Sequence, residues 1–404
     1  MRITRNSTEP SITTDPRQHE VDRRTFLRGA AAATGLLLAS RAATPFASAQ
    51  TARRFAPVNV SRNRVIREVV GLRPFRAEGY LVEAQRVGAK LLIHNYGHGG
   101  GGITLSWGTA SQAVDLVRDF SPPVAPSTRR AVARASRPTR FAVIGCGVNG
   151  LSTAILLQRR YAEIGGSVTI YTKDLPPNTT SNIAGGFWSP TSVYDFDAVS
   201  RPFVEQFRAA SRIANRAFQL LVGADYGVRW LDTFDLHRDE ASTQRNLPGG
   251  NDLYPQQIIH RNAEKYFGFP FVRQYSTMLI EPQVYLRSLL RDFHSAGGRV
   301  VVKEFRSRDE VMMLPDQVIF NCSGLGARAL FNDQTLVPVR GQLEILLPQP
   351  EIDYCYLGDD YMFPRSDGIV LGGTFDRGDW SLDVNREQAD AILNSHAAKM
   401  KTLG

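Results

Sequence analysis

Cysteine is scarce. Cys146, Cys322 and Cys355 are the only three in 404 residues, odd in number and far apart. That pattern excludes a CxxC metal knuckle and a disulfide framework. Cys146 and Cys322 each sit between a strand-like run and glycine, where a small buried side chain fits. Long hydrophobic runs are lacking too. The apolar stretch at residues 29–40 falls short of the roughly 20 residues that a membrane-spanning helix needs, so no stable membrane span is expected. The formal net charge is +9, yet no dense Lys/Arg cluster with interleaved aromatics occurs, which argues against a nucleic-acid binder. What remains is an ordinary globular composition, 43% hydrophobic and 22% charged with 34 Gly and 22 Pro, in a chain long enough for two cored domains.

Residues 1–49 read as a leader. Asp22-Arg-Arg-Thr-Phe-Leu-Arg28 precedes the short apolar stretch, and Ala47-Ser48-Ala49 follows as a small-residue cleavage pattern. Basic region, short apolar region and small-residue site in that order make a signal peptide, and Arg23-Arg24 makes it resemble a twin-arginine signal. The twin-arginine export machinery is therefore an expected partner, with an exported protein, periplasmic or extracellular. That route carries folded proteins, so a cofactor can be inserted before export.

Arg140–Ile144 is a short apolar run between Pro138 and glycine, as a buried parallel strand would be. It leads into Gly145-Cys-Gly147-Val148-Asn149-Gly150, then a helix-like stretch over Leu151–Arg160 and a second strand at Ser167–Tyr171. Strand, glycine turn, helix and strand form the context in which G-x-G-x-x-G binds a dinucleotide. The glycines let the backbone approach a pyrophosphate, whose charge meets the helix N-terminus. Asp174 is the candidate ribose-binding acid, although it lies past the strand end and a loop carboxylate is an equal reading. Flavin or nicotinamide is left open by this turn. Downstream, Gln317–Gly324 reads as a strand ending in a small-residue turn.

Thr179-Thr180-Ser181-Asn-Ile-Ala184-Gly185-Gly186-Phe-Trp-Ser-Pro190 resembles the loop with which D-amino-acid oxidases hold their flavin. Arg340-Gly-Gln342, Tyr361-Met-Phe-Pro364, Leu371-Gly-Gly373 and Gly378-Asp-Trp-Ser381 resemble motifs of that family's substrate domain. Gly71-Leu-Arg-Pro74 and His94-Asn-Tyr-Gly-His-Gly-Gly-Gly-Gly-Ile-Thr-Leu-Ser-Trp-Gly108 are similar to motifs that the family carries at its C-terminus. Here they come before the dinucleotide turn, which implies a circular permutation, or else a fusion or misassembled gene. Physics allows the permutation, because termini at exposed neighbouring sites can be moved.

The resemblance implies an α/β fold, an FAD-binding Rossmann-like domain plus a mixed-sheet substrate domain, as a circularly permuted D-amino-acid oxidase-like fold. Residues 58–120 would be the permuted segment and 121–139 a linker. Residues 140–190 and 299–335 would form the FAD domain, with 191–298 and 336–404 mainly the substrate domain. It implies FAD held by Gly145, Gly147, Val148, Asn149, Gly150, Thr180, Ser181, Ala184, Gly185 and Gly186. Gly99, Gly100, Gly102, Ile103 and Thr104 would join them from the front segment. Arg73 matches the arginine that grips the substrate carboxylate, a task suited to its planar fork, and Tyr361 the tyrosine that donates to the same carboxylate.

The stretch Gln349–Asp360 looks shorter than the family's lid, and Tyr356 is a candidate to replace a lid aromatic. His94 and His98 lie four apart, but glycine at 97 and 99–102 argues against a helix and for a loop whose NH groups face the flavin. No metal is expected. A helix over Ile103–Asp119 would point its positive end at the flavin. The implied activity is oxidative deamination of a small D-amino-acid substrate by molecular oxygen, with hydrogen peroxide released. The alternatives are a D-aspartate-type oxidase, a flavin dehydrogenase with another acceptor, or a flavoprotein without turnover.

Overall fold

The computed structural model describes residues 54–119 and 139–403. The expected leader, and all but the last residue of the expected linker, lie outside the described residues. A strand apolar at consecutive positions needs cover on both faces, and Arg140–Ile144 has it as β4. Phe141 and Val143 point into a core shared with Leu151 and Ile155. Ala142 and Ile144 point the other way, into one shared with Phe305 and Val311.

Around β4 lie β2 (Leu81–Val87), β3 (Lys90–Tyr96), β5 (Ser167–Thr172), β9 (Arg299–Val302) and β10 (Val318–Asn321). They form a six-stranded sheet in the order β2-β3-β10-β4-β5-β9. All neighbours run parallel except β2, which is antiparallel to β3. The helices α1 (Gly102–Asp119) and α2 (Val148–Tyr161) pack against each other beside this sheet. Two further helices, α3 (Arg201–Gln219) and α4 (Pro282–Ser295), pack on α1 and α2 respectively. Both come from the span that the sequence grouped with the substrate domain, yet they extend this helical layer.

The second sheet has nine strands. It contains β1 (Val65–Phe75), β6 (Val228–His237), β7 (Ile258–Arg261), β8 (Phe271–Ile280), β11 (Val337–Leu346), β12 (Tyr354–Leu357), β13 (Tyr361–Arg365) and β14 (Gly368–Gly372). The order is β1-β11-β14-β13-β12-β6-β8-β7, with the short β15 (Asp376–Arg377) also on β11. One further helix, α5 (Arg386–Met400), covers its back: Ile392, Leu393 and Met400 share a core with Tyr356, Met362, Ile369 and Leu371. The fold is thus a mixed α/β architecture built on two sheets. Residues 65–96 serve both, since β1 pairs with β11 in one sheet and β3 with β10 in the other.

Candidate functional site

The dinucleotide turn is closed by contacts that no side chain could share. Gly145 has φ +108, and a Cβ on it would fall 2.5 Å from the Cys322 carbonyl oxygen. On Gly150 a Cβ would fall 2.0 Å from the Gly145 oxygen, so helix α2 sits directly on the turn. The Val148 amide, in the first turn of α2, donates to Ser181 Oγ at 3.0 Å. A glycine-lined turn at the positive end of a helix, with the Ser181 hydroxyl at its rim, suits a pyrophosphate. The residues present fit the FAD that the resemblance to D-amino-acid oxidases implies.

A second helix start lies beside the first. Gly102 opens α1, and a Cβ there would be 3.8 Å from Asn149 Nδ2. His98 joins the two. Its Nε2 faces Thr109 Oγ1 at 3.1 Å, and its Nδ1 faces Asn149 Nδ2 at 3.3 Å. Thr109 Oγ1 donates to the Leu105 carbonyl, so His98 Nε2 carries the proton and Nδ1 accepts. Burial pushes the His98 pKa down to about 3, leaving a neutral strut. The N-termini of α1 and α2 lie side by side here, an arrangement that would favour a bound group carrying negative charge.

From this turn a connecting piece reaches the other sheet. The helical turn Thr180–Ile183 starts beside α2, and Ile183 packs on Gly71 of β1, where a Cβ would lie 2.9 Å away. Ala184 accepts from Arg365 Nη1 at 3.0 Å. Gly185 abuts Phe363, and Gly186, with φ +89, leaves no room for a Cβ against the Ile280 oxygen. Phe187, Phe363 and Tyr361 then stack in sequence, with centroids 5.1 and 4.8 Å apart.

Arg73 and Tyr361 stand on the front of the nine-stranded sheet, each over a glycine. A Cβ on Gly341 would meet the Arg73 guanidinium at 2.4 Å, and one on Gly372 would meet the Tyr361 ring at 2.4 Å. Gly341 is on β11 and Gly372 on its neighbour β14, where Gly372 pairs with Leu343. Gly341 is therefore a diagonal neighbour of Gly372 on the same face, two residues from its partner and about 7–8 Å away, a separation that long side chains such as Arg73 and Tyr361 can bridge. Arg73 Nη1 reaches only the carbonyls of Arg340 and Thr374, both at 3.4 Å. Among the described residues no carboxylate pairs with it, and the Tyr361 hydroxyl has no hydrogen bond. A planar cation beside a free phenol is an arrangement that binds a carboxylate.

Several expectations are corrected. Tyr356 is no lid aromatic: strand alternation turns it to the back of the sheet, where it is fully buried against His396. The glycine-rich stretch is no open loop. Gly99–Gly101 form a 3-10 turn running into α1, with the Gly100 amide given to Ser192 and the Gly101 amide to His98. Ile103 is in the core, and the Thr104 hydroxyl donates to the Ser189 carbonyl.

Asp174 lies just past β5, its carbonyl accepting from Thr172 Oγ1, its half-exposed carboxylate 3.7 Å from the Lys173 ammonium. His94 and His98 serve separate networks, His94 with Gln85 and Asn321. Among the described residues no group of three or more His, Cys, Asp or Glu could hold a metal. The three cysteines are buried and free, and no described helix is long and apolar enough to cross a membrane. The sequence reading missed the floors Gly341 and Gly372 as well as Thr374 and Phe375, although two of its motifs contain the glycines.

Residues 140–402 match the family described as DAO, FAD dependent oxidoreductase. A D-amino acid oxidase of Dugesia ryukyuensis is 31% identical over 267 residues, covering 63% of this chain and 75% of the relative. A D-amino-acid oxidase of Rubrobacter xylanophilus is 32% identical over 272 residues, 64% and 76% of the two chains. A D-aspartate oxidase of Homo sapiens is 28% identical over 260 residues, 63% and 74%.

Proposed function

The chain belongs to the FAD-dependent oxidoreductase family, and from that membership we propose that it deaminates D-amino acids oxidatively. One D-amino acid, one oxygen and one water give a 2-oxo acid, ammonia and hydrogen peroxide. The observation that carries this reading is the pairing of Arg73 and Tyr361 over glycine floors, beside the piece that leads from the dinucleotide turn.

Arg73 presents its fork to the substrate carboxylate while the Tyr361 hydroxyl donates to the same group. With the carboxylate held at both oxygens, the bonds at Cα keep one orientation, which is the main service a protein gives such a reaction. FAD, when bound, supplies the acceptor for the electrons leaving Cα. The chain's own residues need no general base once the substrate amine is neutral, and the imine product hydrolyses in water.

The surroundings favour an apolar substrate side chain over an acidic one. Phe375 lies 6.0 Å from the Arg73 guanidinium and is half exposed. Arg377 and Arg76 are committed to Asp195 and Asp333, and Arg340 turns to the other face of the sheet, toward Asp376 and Gln388. A second substrate carboxylate would meet an aromatic ring rather than a spare guanidinium. Peroxide release measured over D- and L-amino acids, D-aspartate included, tests the reading. Turnover of apolar D-amino acids is expected. Preference for D-aspartate, or electrons passed to a dye but not to oxygen, would move the assignment to those alternatives, and a flat response would abandon catalysis.

The same reading includes a permutation. The family match begins at residue 140, while residues 65–119 supply strands to both sheets and the helix beside α2. A reordered gene, residues 139–403 followed by 54–119, should give a folded flavoprotein; failure of the reordered chain to bind FAD would count against the idea. Export by the twin-arginine route completes the proposal. Arg23-Arg24 changed to Lys-Lys should hold the flavoprotein in the cytoplasm, and unchanged export would refute it.

A further inference from the structure

Behind Tyr361, on the far side of the sheet, lies a buried polar cluster that the site does not use. Asp360, the residue before Tyr361, accepts from Lys399 Nζ at 2.8 Å and Ser395 Oγ at 2.6 Å. Its other oxygen is buried without a partner among the described residues. His396, fully buried, meets the Tyr356 hydroxyl through Nδ1. Its Nε2 faces the Gly372 carbonyl at 3.4 Å and Asp360 Oδ2 at 3.7 Å. Both of those oxygens can only accept, so Nε2 carries the proton and Nδ1 accepts from Tyr356. Burial pushes the His396 pKa down to about 4, so the ring is neutral at pH 7, in the tautomer that these partners set. The carbonyl it meets belongs to the glycine that floors the Tyr361 ring.

Such a cluster is a poor source of stability. Burying Lys399, Asp360 and an imidazole costs desolvation that an apolar core would avoid. Its members come from α5, β12 and the open end of the β13–β14 pair, and they converge on the backbone just before and just beneath Tyr361. Conformational alignment is the service it is placed to give.

We propose that His396 is a positioning residue for Tyr361, holding through the Gly372 carbonyl the strand on which the phenol ring rests. The proposal rests on Tyr361 being the donor to the substrate carboxylate. Three variants test it in the FAD-loaded enzyme: His396→Asn, His396→Gln and Tyr361→Phe. Gln can place an N–H near the position of Nε2, whereas Asn cannot. His396→Asn should raise KM roughly five- to twentyfold with a smaller change in kcat, and Gln should restore most of the loss. In the Tyr361→Phe background the Asn change should add less than about twofold, because its effect passes through the missing hydroxyl.

Equal KM for the Asn variant and the parent would overturn the proposal, as would Gln no better than Asn or full multiplicative effects in the double variant. Tyr361→Phe with parental kinetics would instead remove the reading of Tyr361, and the proposal with it. If His396→Asn yields no soluble flavoprotein, Asp360→Asn, which loosens the cluster from the other side, replaces it in the same cycle. There a rise in KM that vanishes without the Tyr361 hydroxyl supports the clamp, and a rise that persists refutes it.

Discussion

Replacing Gly372 by alanine sets a methyl group against the Tyr361 ring. The added carbon would stand 2.4 Å from Cε2 and Cζ and 2.5 Å from the hydroxyl oxygen. Carbon atoms rest about 3.5–4.0 Å apart, so the ring must retreat by about 1 Å. The backbone at Gly372 does not require glycine, since its φ lies outside the left-handed range, and the variant tests space alone. A ring swung off its rotamer costs roughly 0.5–1.5 kcal/mol, so the fold and its flavin should survive. The hydroxyl, however, leaves the substrate carboxylate. A hydrogen bond to a charged group is worth about 1.5–3 kcal/mol, or on the order of 10- to 100-fold in kcat/KM. Steady-state peroxide release reads this directly, with flavin absorbance as the control. Gly372→Ala should behave like Tyr361→Phe, and combining the two should cost little more than either. Parental kinetics in Gly372→Ala alongside an impaired Tyr361→Phe would refute the claim that the glycine seats the ring.

Arg73→Ala should raise KM and lower kcat by on the order of 10- to 100-fold in kcat/KM with FAD retained, and Arg73→Lys should recover little because the fork is lost. Parental kinetics in both would abandon the carboxylate role. Gly150→Ala places a carbon 2.0 Å from the Gly145 oxygen, so it should purify colourless while the parent is yellow; chromatography of the heat-released cofactor decides, and full FAD content would refute the cradle.

Acid should destabilise the fold through three buried imidazoles, His94 and His396 held down to about 4 and His98 to about 3. Unfolded, each titrates near 6.5, so between there and the folded values only the unfolded chain takes up protons. Stability is therefore full above pH 6.5 and falls below it by about 1.4 kcal/mol per pH unit per imidazole. Urea midpoints between pH 7 and 5 check this, and a flat profile there would contradict the burial.

Much of the cofactor end was legible because it is local. The apolar run Arg140–Ile144, the glycines and the helix behind them are contiguous, and their pattern states both period and purpose. Arg73 and Tyr361 were legible only as motifs. Nothing in either motif says that Arg73 rests on Gly341 or Tyr361 on Gly372, because strand register is a property of pairs far apart in sequence. Tyr356 failed for the same reason. As part of a short loop it looked free to swing, but pairing of β12 with β6 and β13 fixes which way it points. The clamp around His396 needs a helix, three strands and their alternation before any member meets another.

The stretch Val65–Tyr96, stitched into both sheets, has a temporal consequence. It leaves the ribosome early, but the strands it pairs with come far later, the Arg73–Arg340 contact spanning 267 residues. At roughly 5–20 residues per second that is a wait of about 13 to 50 seconds. Until those strands emerge, β1 lacks β11 and β3 lacks β10, so neither sheet is complete on a nascent chain. Maturation must then be a late, nearly all-or-none event, and a chaperone that shields the first strand should raise the yield of coloured protein more than one acting on the finished chain.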